Sequence, residues 1–520
     1  MTVETNPNLE PDHKPNLEPD LKPDLAAVHA RIDANEQSSI KAVQAWLRLP
    51  SFSDTGMGIL EGAAYAKALL SQISNDAEIH PTPCYPMVMG TVRSSLPDAP
   101  WLIIYGLYDI TPTWEHEWKV PPLEARIVEA SEIGVLPHLG RVLVGRGANN
   151  HKGPVLATIL AIKAMLETGT PLPVNLIYLI EGEEEIGSPS MAGFVETHRG
   201  LLEKAQGVWL PCMQQNSAGT MTLRRAFKGT LFATLECNGG EWGGTKDARH
   251  VWAGNSAWID SPLMRLVKAL ATLYSDDQRL TLDGLNEKLE PPLTPESPEV
   301  RELEQLFRDN PGWEANMLYN LNVGKFIDGK RLSDHLAHYM LAATINLQGV
   351  QGGYQDELFY TAMPGNARAK LDIRFPTGVT PAEVADLLQA HLNKRGHDMV
   401  RVRQIRGYSG TSALPESDDT LLQAARIVAA EHKVSISVWP IANNCSPASL
   451  LTSLGKQIPY SIAGTGHGDR AHAPDEYITL ESIGKLQHWT VDYLYAWRDV
   501  LDEHLDEHLD EGSNSGTEPK

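Results

Sequence analysis

Four carboxylates lie within five residues in the stretch Glu181-Gly182-Glu183-Glu184-Glu185, directly after the apolar run 174–180. That run has the length and the β-rich composition of a buried strand, so the acidic cluster falls where a strand ends. Active sites of open α/β sheets gather at such strand ends. Crowding of like charges must be offset by a metal ion, a neighbouring cation or a raised carboxyl pKa. We therefore predict chemistry at this loop, the alternative being a solvated acidic turn.

The elements around this cluster alternate between strand and helix. An apolar run at 101–105 ends in a polar turn, and a glycine-rich turn at 145–154 leads into a predicted helix at 155–167. The alternation predicts an α/β fold with a mostly parallel sheet and functional residues at its strand ends. The glycine-rich turn lacks both the GxxxxGK[ST] and the GxGxxG spacing, so the sequence does not predict a nucleotide site.

The pattern of predicted strands, helices and loops changes after residue 222 and again near residue 410. This change predicts an α+β domain inserted into the sheet domain. We predict five segments: a disordered proline-rich arm at 1–25, sheet-domain parts at 26–221 and 409–504, the inserted domain at 222–408, and a disordered tail at 505–520. Proline density in the arm opposes both helix and sheet.

The composition of the chain limits the binding partners and the cellular compartment that we expect. The net charge of −22 argues against nucleic acid and anionic membranes. Four scattered cysteines without CxxC spacing indicate a reducing compartment. We see no secretory signal and no apolar stretch of the roughly 20 residues that would span a bilayer, so we expect a cytoplasmic protein.

Five motifs follow one another in an order that resembles the aminoacylase, carboxypeptidase G and carnosinase group of dinuclear zinc peptidases. They are GxxDxxP from Gly106, GRGxxxxKG at 145–153, EGEEEIGSP at 181–189, LDIRFP at 371–376 and AHAPDEY at 471–477. The similarity runs from about residue 40 to about residue 500. It implies a catalytic α/β domain with two zinc ions and an inserted α+β lid domain through which the chain forms a homodimer.

The metal-ligand positions depart from the pattern of that family. Leu107 stands where the family has a zinc-binding histidine, Asn150 replaces the bridging aspartate, and Cys212 falls on an acidic ligand position. Glu185 and His472 keep the family's ligand type. Zinc requires about four N, O or S donors, so we predict at most one zinc ion, with a metal-free site as the alternative.

Glu185, His472 and Cys212 would hold that single zinc. The candidates that would complete its coordination are Asn150, His151 and His467.

The resemblance also implies roles for residues outside the metal positions. Glu184 matches the general base, Asp109 matches the residue that orients the missing histidine, and Arg374 matches the arginine that grips a substrate carboxylate. His250 resembles a lid histidine that stabilises the oxyanion in the partner subunit's site, and Thr361 resembles the residue beside it.

Cys445 falls near the family's substrate-loop serine. The alternative interpretations are ordinary loop residues for His250 and Thr361, a surface ion pair for Arg374, and a small buried apolar group for Cys445.

Three functions remain open from the sequence. The first is an amide-bond hydrolase, of the dipeptidase or N-acyl amino acid amidohydrolase type, acting on small peptide-like substrates with a free carboxylate. The second is a metal-free enzyme that transfers, condenses, cyclises or isomerises with Glu184 as acid/base. The third is a non-catalytic ligand-binding protein. We favour the first, because amide cleavage is the chemistry that the resemblance implies.

Overall fold

The computed structural model describes residues 24–291, 293–443 and 446–514, with the backbone alone for Gln404 and for 505–514. Its largest element is an eight-stranded, mostly parallel sheet. In spatial order the strands are Glu78–His80, Met87–Val92, Asn175–Glu181, Trp101–Leu107, Ala205–Pro211, Tyr460–Ala463, Met221–Arg224 and Ile436–Trp439.

Helices cover both faces of this sheet. Leu102 and Ile104 point into one hydrophobic core, and Ile103 and Tyr105 point into the core on the opposite face. A strand that is buried on both faces needs a continuous apolar run, which explains its sequence. The helices of this domain are Ala26–Ala34, Glu36–Leu47, Ile59–Leu70, Lys152–Thr168, Met191–Thr197, Arg199–Leu202, Thr420–Glu431, Ser449–Thr452 and Glu481–Asn514.

A small antiparallel sheet lies beside the large one. Its spatial order is Gly468–Asp469, Tyr477–Thr479, Arg141–Val144 and Arg126–Glu129. The pairing of Tyr477 with Val144 places the turn after 144 against the loop 470–476. Two motifs that are far apart in the sequence thus become neighbours.

The inserted domain is built on a four-stranded antiparallel sheet with the order Thr344–Gln351, Asn366–Phe375, Gly229–Asn238 and Val400–Tyr408. The helices Pro262–Ala271 and Pro381–Lys394 pack on it around a separate core. A two-residue ribbon pairs Val251–Trp252 with Ala362–Met363.

Three helices of the inserted segment pack on the domain of the eight-stranded sheet and not on the four-stranded sheet. They are Pro298–Asp309, Pro311–Leu321 and Leu336–Leu341. Val300, Leu303 and Phe307 form an apolar stripe on the first helix, and they share a core with Trp439 and Ile441. The stretch 276–315, polar and proline-rich by composition, therefore contains a bridge between the two domains.

The predicted fold class, a mostly parallel α/β domain with an inserted α+β domain, is confirmed. The last helix continues to Asn514, into the segment 505–520 for which the sequence predicts a disordered tail. The leucine and glutamate residues of the repeated Leu-Asp-Glu-His segment favour helix. The predicted arm lies outside the described residues apart from Asp24 and Leu25, as do residues 515–520. Within the described ranges, no helix combines the length and the apolar character needed to cross a membrane.

Candidate active site

Two of the four clustered carboxylates serve the structure of the loop. Glu181 is fully buried at the end of its strand, and the hydroxyl of Tyr105 donates to it at 2.6 Å. Burial raises the pKa of Glu181 to about 8. Glu183 is also buried and accepts hydrogen bonds from the backbone N–H groups of Tyr85 and Ser190. These contacts explain how the chain tolerates so many acids in one turn.

Glu184 and Glu185 begin the short helical turn Glu184–Ile186 directly after that strand end. The buried Asp109 lies beneath them, and its Oδ2 accepts the backbone N–H of Glu185 at 3.0 Å. Burial and the charge of Glu185 raise the pKa of Asp109 to about 7. Burial, followed by the charges of Glu185 and Asp109, raises the pKa of Glu184 well above its ordinary value. Three carboxyl groups thus converge on one edge of the sheet.

Asn150, Glu185 and His472 are in mutual contact. Its amide Nδ2 donates to Oε1 of Glu185 at 2.7 Å and lies 2.9 Å from Nε2 of His472. The same imidazole nitrogen is 3.1 Å from Oε2 of Glu185. The side chain of Glu185 is 4% exposed and that of His472 is 57% exposed, so the carboxylate is buried and the imidazole is open to solvent. The charge of Glu185 raises the pKa of His472.

Glu476 positions Asn150, a role that was not predicted from the sequence. Its carboxylate is buried and accepts the backbone N–H groups of Asn149 and Asn150 at 2.8 and 2.7 Å. It also accepts hydrogen bonds from the N–H of Gly147 and from the guanidinium of Arg146. The signal was present, because Arg146 and Glu476 are opposite charges within two of the five motifs.

Cys212 does not join Glu185 and His472. Its Sγ lies 3.4 Å from Nε2 of His151, and that nitrogen is 2.6 Å from the carbonyl oxygen of Pro211. Burial raises the pKa of the Cys212 thiol to about 12 and lowers the pKa of His151 to about 4. Across the described ranges, no group of three or more His, Cys, Asp or Glu side chains is arranged to hold a metal ion.

His467, the other candidate to complete a zinc site, has both ring nitrogens engaged. Nδ1 lies 2.8 Å from the carbonyl oxygen of Gln215 and Nε2 lies 3.0 Å from the hydroxyl of Tyr477. Leu107 is buried and offers no donor atom. The contacts of Asn150 therefore bring together one carboxylate, one imidazole and one neutral amide, and this set does not fit a dinuclear zinc centre.

Arg374 reaches the site from the lid. Its Nη1 donates to the carbonyl oxygen of Asn443, and its Nε lies 3.4 Å from Asp372. Its positive charge acts to lower the pKa of Glu184. Arg374 is therefore near enough to Glu184 for its charge to act on that carboxyl group. Cys445, which was predicted nearby, lies outside the described residues.

His250 and Thr361 lie together on the lid, away from the acidic cluster. Both are exposed, and the carbonyl oxygen of Thr361 accepts the N–H of Ala253 next to the ribbon. The ring of His250 lies 6.4 Å from that of Tyr360. In the described part of this chain, no hydrogen bond or ion pair connects either residue to Glu184 or Glu185. Their predicted roles remain predictions.

Comparison with known proteins places these features in context. Residues 108–496 match peptidase family M20/M25/M40. The Beta-Ala-His dipeptidase of Mus musculus is 24% identical over 338 residues, 62% of this chain and 60% of that protein. The Cys-Gly metallodipeptidase dug1 of Schizosaccharomyces pombe is 23% identical over 64% of this chain and 65% of its own length. The chain thus spans less than two thirds of these relatives.

Solved structures agree on the fold. A metallo-carboxypeptidase from Sulfolobus solfataricus superposes with a TM-score of 0.75 and 25% identity, over 88% of this chain and 99% of that one. Human carnosine dipeptidase 1 gives a TM-score of 0.73 at 19% identity, over 91% of this chain and all of that one. The family resemblance inferred from the five motifs is confirmed.

Proposed function

This chain belongs to peptidase family M20/M25/M40, and from that premise we propose that it hydrolyses the amide bond of small peptide-like or N-acyl amino acid substrates with a free carboxylate. The observation that carries the proposal is the position of Glu184 on the turn at the strand end beside Asp109 and Glu185, where the positive charge of Arg374 also acts on it. An acid/base group and a cation suited to a carboxylate then belong to the same site. The relatives named as dipeptidases support the same substrate class.

In the proposed reaction, Glu184 takes a proton from water while the water oxygen bonds to the carbonyl carbon. The same carboxyl group then gives that proton to the leaving nitrogen as the C–N bond breaks, which releases an amine and a carboxylic acid. Arg374 holds the substrate carboxylate. Glu185, Asn150 and His472 form the wall of the site beside the reacting carbonyl.

In this proposal, the lid domain also forms the interface with a second copy of the chain. Large apolar side chains are exposed there, including Trp252 at 66%, Leu358 at 76% and Phe359 fully exposed. Such a patch is typical of an interaction surface. We place a second copy of the chain on it, with His250 of that copy donating to the oxyanion of this site.

An amine-release assay tests the proposal on a panel of Xaa-Gly dipeptides, β-alanyl dipeptides and N-acetyl amino acids. Glu184→Gln should lower kcat by at least about 100-fold, because proton transfer is lost. Arg374→Ala should raise KM, and it should do so only for substrates with a free carboxylate. Exposed Arg368→Ala, on the same lid strand, is the matched control. Amine release that survives Glu184→Gln would contradict the proposal.

A second candidate is acyl transfer to an amine on the same scaffold, without metal. Asn150 favours it, because an amide in place of a carboxylate removes the anion that would bridge two cations. Product analysis by mass spectrometry with an added amine distinguishes the two candidates. A new amide in excess of free acid indicates transfer, and free acid alone indicates hydrolysis. A third candidate, ligand binding without turnover, would give neither product.

A further inference from the structure

We infer that the centre of this site is metal-free and that the Asn150 amide, hydrogen-bonded to Glu185 and in contact with His472, takes the structural place of a metal ion. The inference rests on the proposed function for the location of the site. It does not depend on which substrate is cleaved.

The orientation of the Asn150 amide follows from its partners. An ionised carboxylate only accepts hydrogen bonds, so the NH2 group of Asn150 must face Glu185 at 2.7 Å. That nitrogen also lies 2.9 Å from Nε2 of His472. The amide oxygen, the atom that would bind a cation, consequently points away from the space between the carboxylate and the imidazole.

The backbone holds the amide in that place. Glu476 accepts the N–H groups of Asn149 and Asn150, and the N–H of Glu185 is bound to Asp109. Both ends of the Asn150–Glu185 contact are therefore anchored. An aspartate at position 150 would put two carboxylates in contact and would require a cation between them, whereas asparagine turns repulsion into a hydrogen bond.

The remaining side chains that could complete a zinc site are committed elsewhere. The Cys212 thiol and the Nε2 atom of His151 contact each other. Both ring nitrogens of His467 have partners, and Leu107 has no donor atom. A catalytic zinc site uses three protein ligands of anionic or imidazole type. Beside Glu185 and His472, the site also contains Glu184 and Asp109, and Oδ2 of Asp109 accepts the N–H of Glu185. Within the described residues these side chains do not form a group of three that could hold a metal ion.

Zinc binding by the full-length chain tests the inference. The chelator-treated protein is equilibrated with zinc, passed through a desalting column and measured by elemental mass spectrometry. We expect below about 0.1 zinc per chain, and no rise in Tm when zinc is added. The double variant Leu107→His/Asn150→Asp restores two donors and should hold at least about 1 zinc per chain with a raised Tm.

One or two zinc ions per wild-type chain, lost in His472→Ala, would overturn the inference. Zinc that survives both His472→Ala and Glu185→Gln lies outside the centre and leaves the inference supported. Should the double variant fail to fold, the wild-type measurement decides alone. Hydrolysis and zinc content fail separately: a zinc-free chain without amidase activity refutes only the proposed function, and an active zinc-loaded chain refutes only this inference.

Discussion

The buried carboxylate of Glu476 accepts a hydrogen bond from the guanidinium of Arg146 at 2.8 Å, although the two residues are 330 positions apart in the sequence. Their side chains are 0% and 3% exposed. This ion pair joins the turn that carries Asn150 to the loop that carries His472. The distance between Asn150 and His472 is therefore set by the buried ion pair between Arg146 and Glu476.

We predict that Glu476→Gln lowers the free energy of unfolding by about 3 kcal/mol, because it leaves the buried Arg146 charge without a counter-ion. Urea unfolding followed by circular dichroism measures this. Glu481→Gln is the control, because its exposed pair with Lys485 should contribute less than about 1 kcal/mol. Equal losses in the two variants would show that the buried pair has no special weight.

A second polar cluster predicts how stability depends on pH. The Oδ1 atom of Asp492 lies 3.0 Å from Nε2 of His29, and its Oδ2 atom lies 2.7 Å from Nε2 of His432. Burial acts to raise the pKa of Asp492, but these two hydrogen bonds outweigh it and lower the pKa to about 2. The hydrogen bond to Asp492 raises the pKa of His29. His488 and Lys485 also face this cluster.

The sign of the effect follows from these directions. A raised histidine pKa adds stability that is complete below pH 6.5 and is lost as the pH rises through the raised value. A lowered aspartate pKa adds stability that is lost only as the pH falls below 3.8 toward about 2. The contribution of the His29–Asp492 pair should therefore be largest between about pH 4 and pH 6.5.

Asp492→Asn should therefore cost about 1 to 2 kcal/mol of unfolding free energy at pH 5.5 and less at pH 9. Urea unfolding at the two pH values checks this. The matched control is Asp33→Asn, because Asp33 binds His488 at 2.9 Å but is 73% exposed. A loss for Asp492→Asn that grows as the pH rises would contradict the assignment.

The cysteines should differ in their reaction with iodoacetamide. Cys212 and Cys237 are buried, and burial raises the pKa of each thiol to about 12. Cys84 is exposed, although burial of part of its side chain and the charge of Glu183 raise its pKa as well. Since the reagent must reach the sulfur and the thiolate is the reacting form, we expect labelling of Cys84 at pH 8 while Cys212 and Cys237 stay unmodified, as measured by peptide mass spectrometry. Rapid labelling of Cys212 would contradict this expectation and would show that Cys212 is accessible to the reagent as a thiolate.

The lid prediction is testable by mixing inactive subunits. If His250 acts in the site of the partner subunit, a dimer of one Glu184→Gln chain and one His250→Ala chain contains one intact site. Random pairing then restores about a quarter of the sites. Amine release by the co-expressed pair, compared with each variant alone, measures this. Activity no higher than the sum of the two variants would place His250 in the site of its own chain or outside catalysis.

Much of the fold was predictable because hydrophobic patterning is local. The continuous apolar runs at 101–105 and 174–180 predicted strands buried on both faces, and both lie in the large sheet. The acidic cluster at 181–185 was placed at a strand end for the same reason. The packing of helix Pro298–Asp309 on the large-sheet domain was not predicted, because its apolar stripe is short and its partner residues, Trp439 and Ile441, come much later in the chain.

The sequence by itself determined which residue types are available to the site: leucine at 107, asparagine at 150, and the retained Glu184, Glu185 and His472. Only the tertiary structure decided which of them meet. It brought Asn150 between Glu185 and His472, turned Cys212 toward His151, and placed Glu476 under the turn. The sequence states the identity of each side chain directly. Contact between side chains depends instead on strand pairing and loop anchoring between segments that lie from 35 to 326 residues apart, and local sequence does not specify those distances.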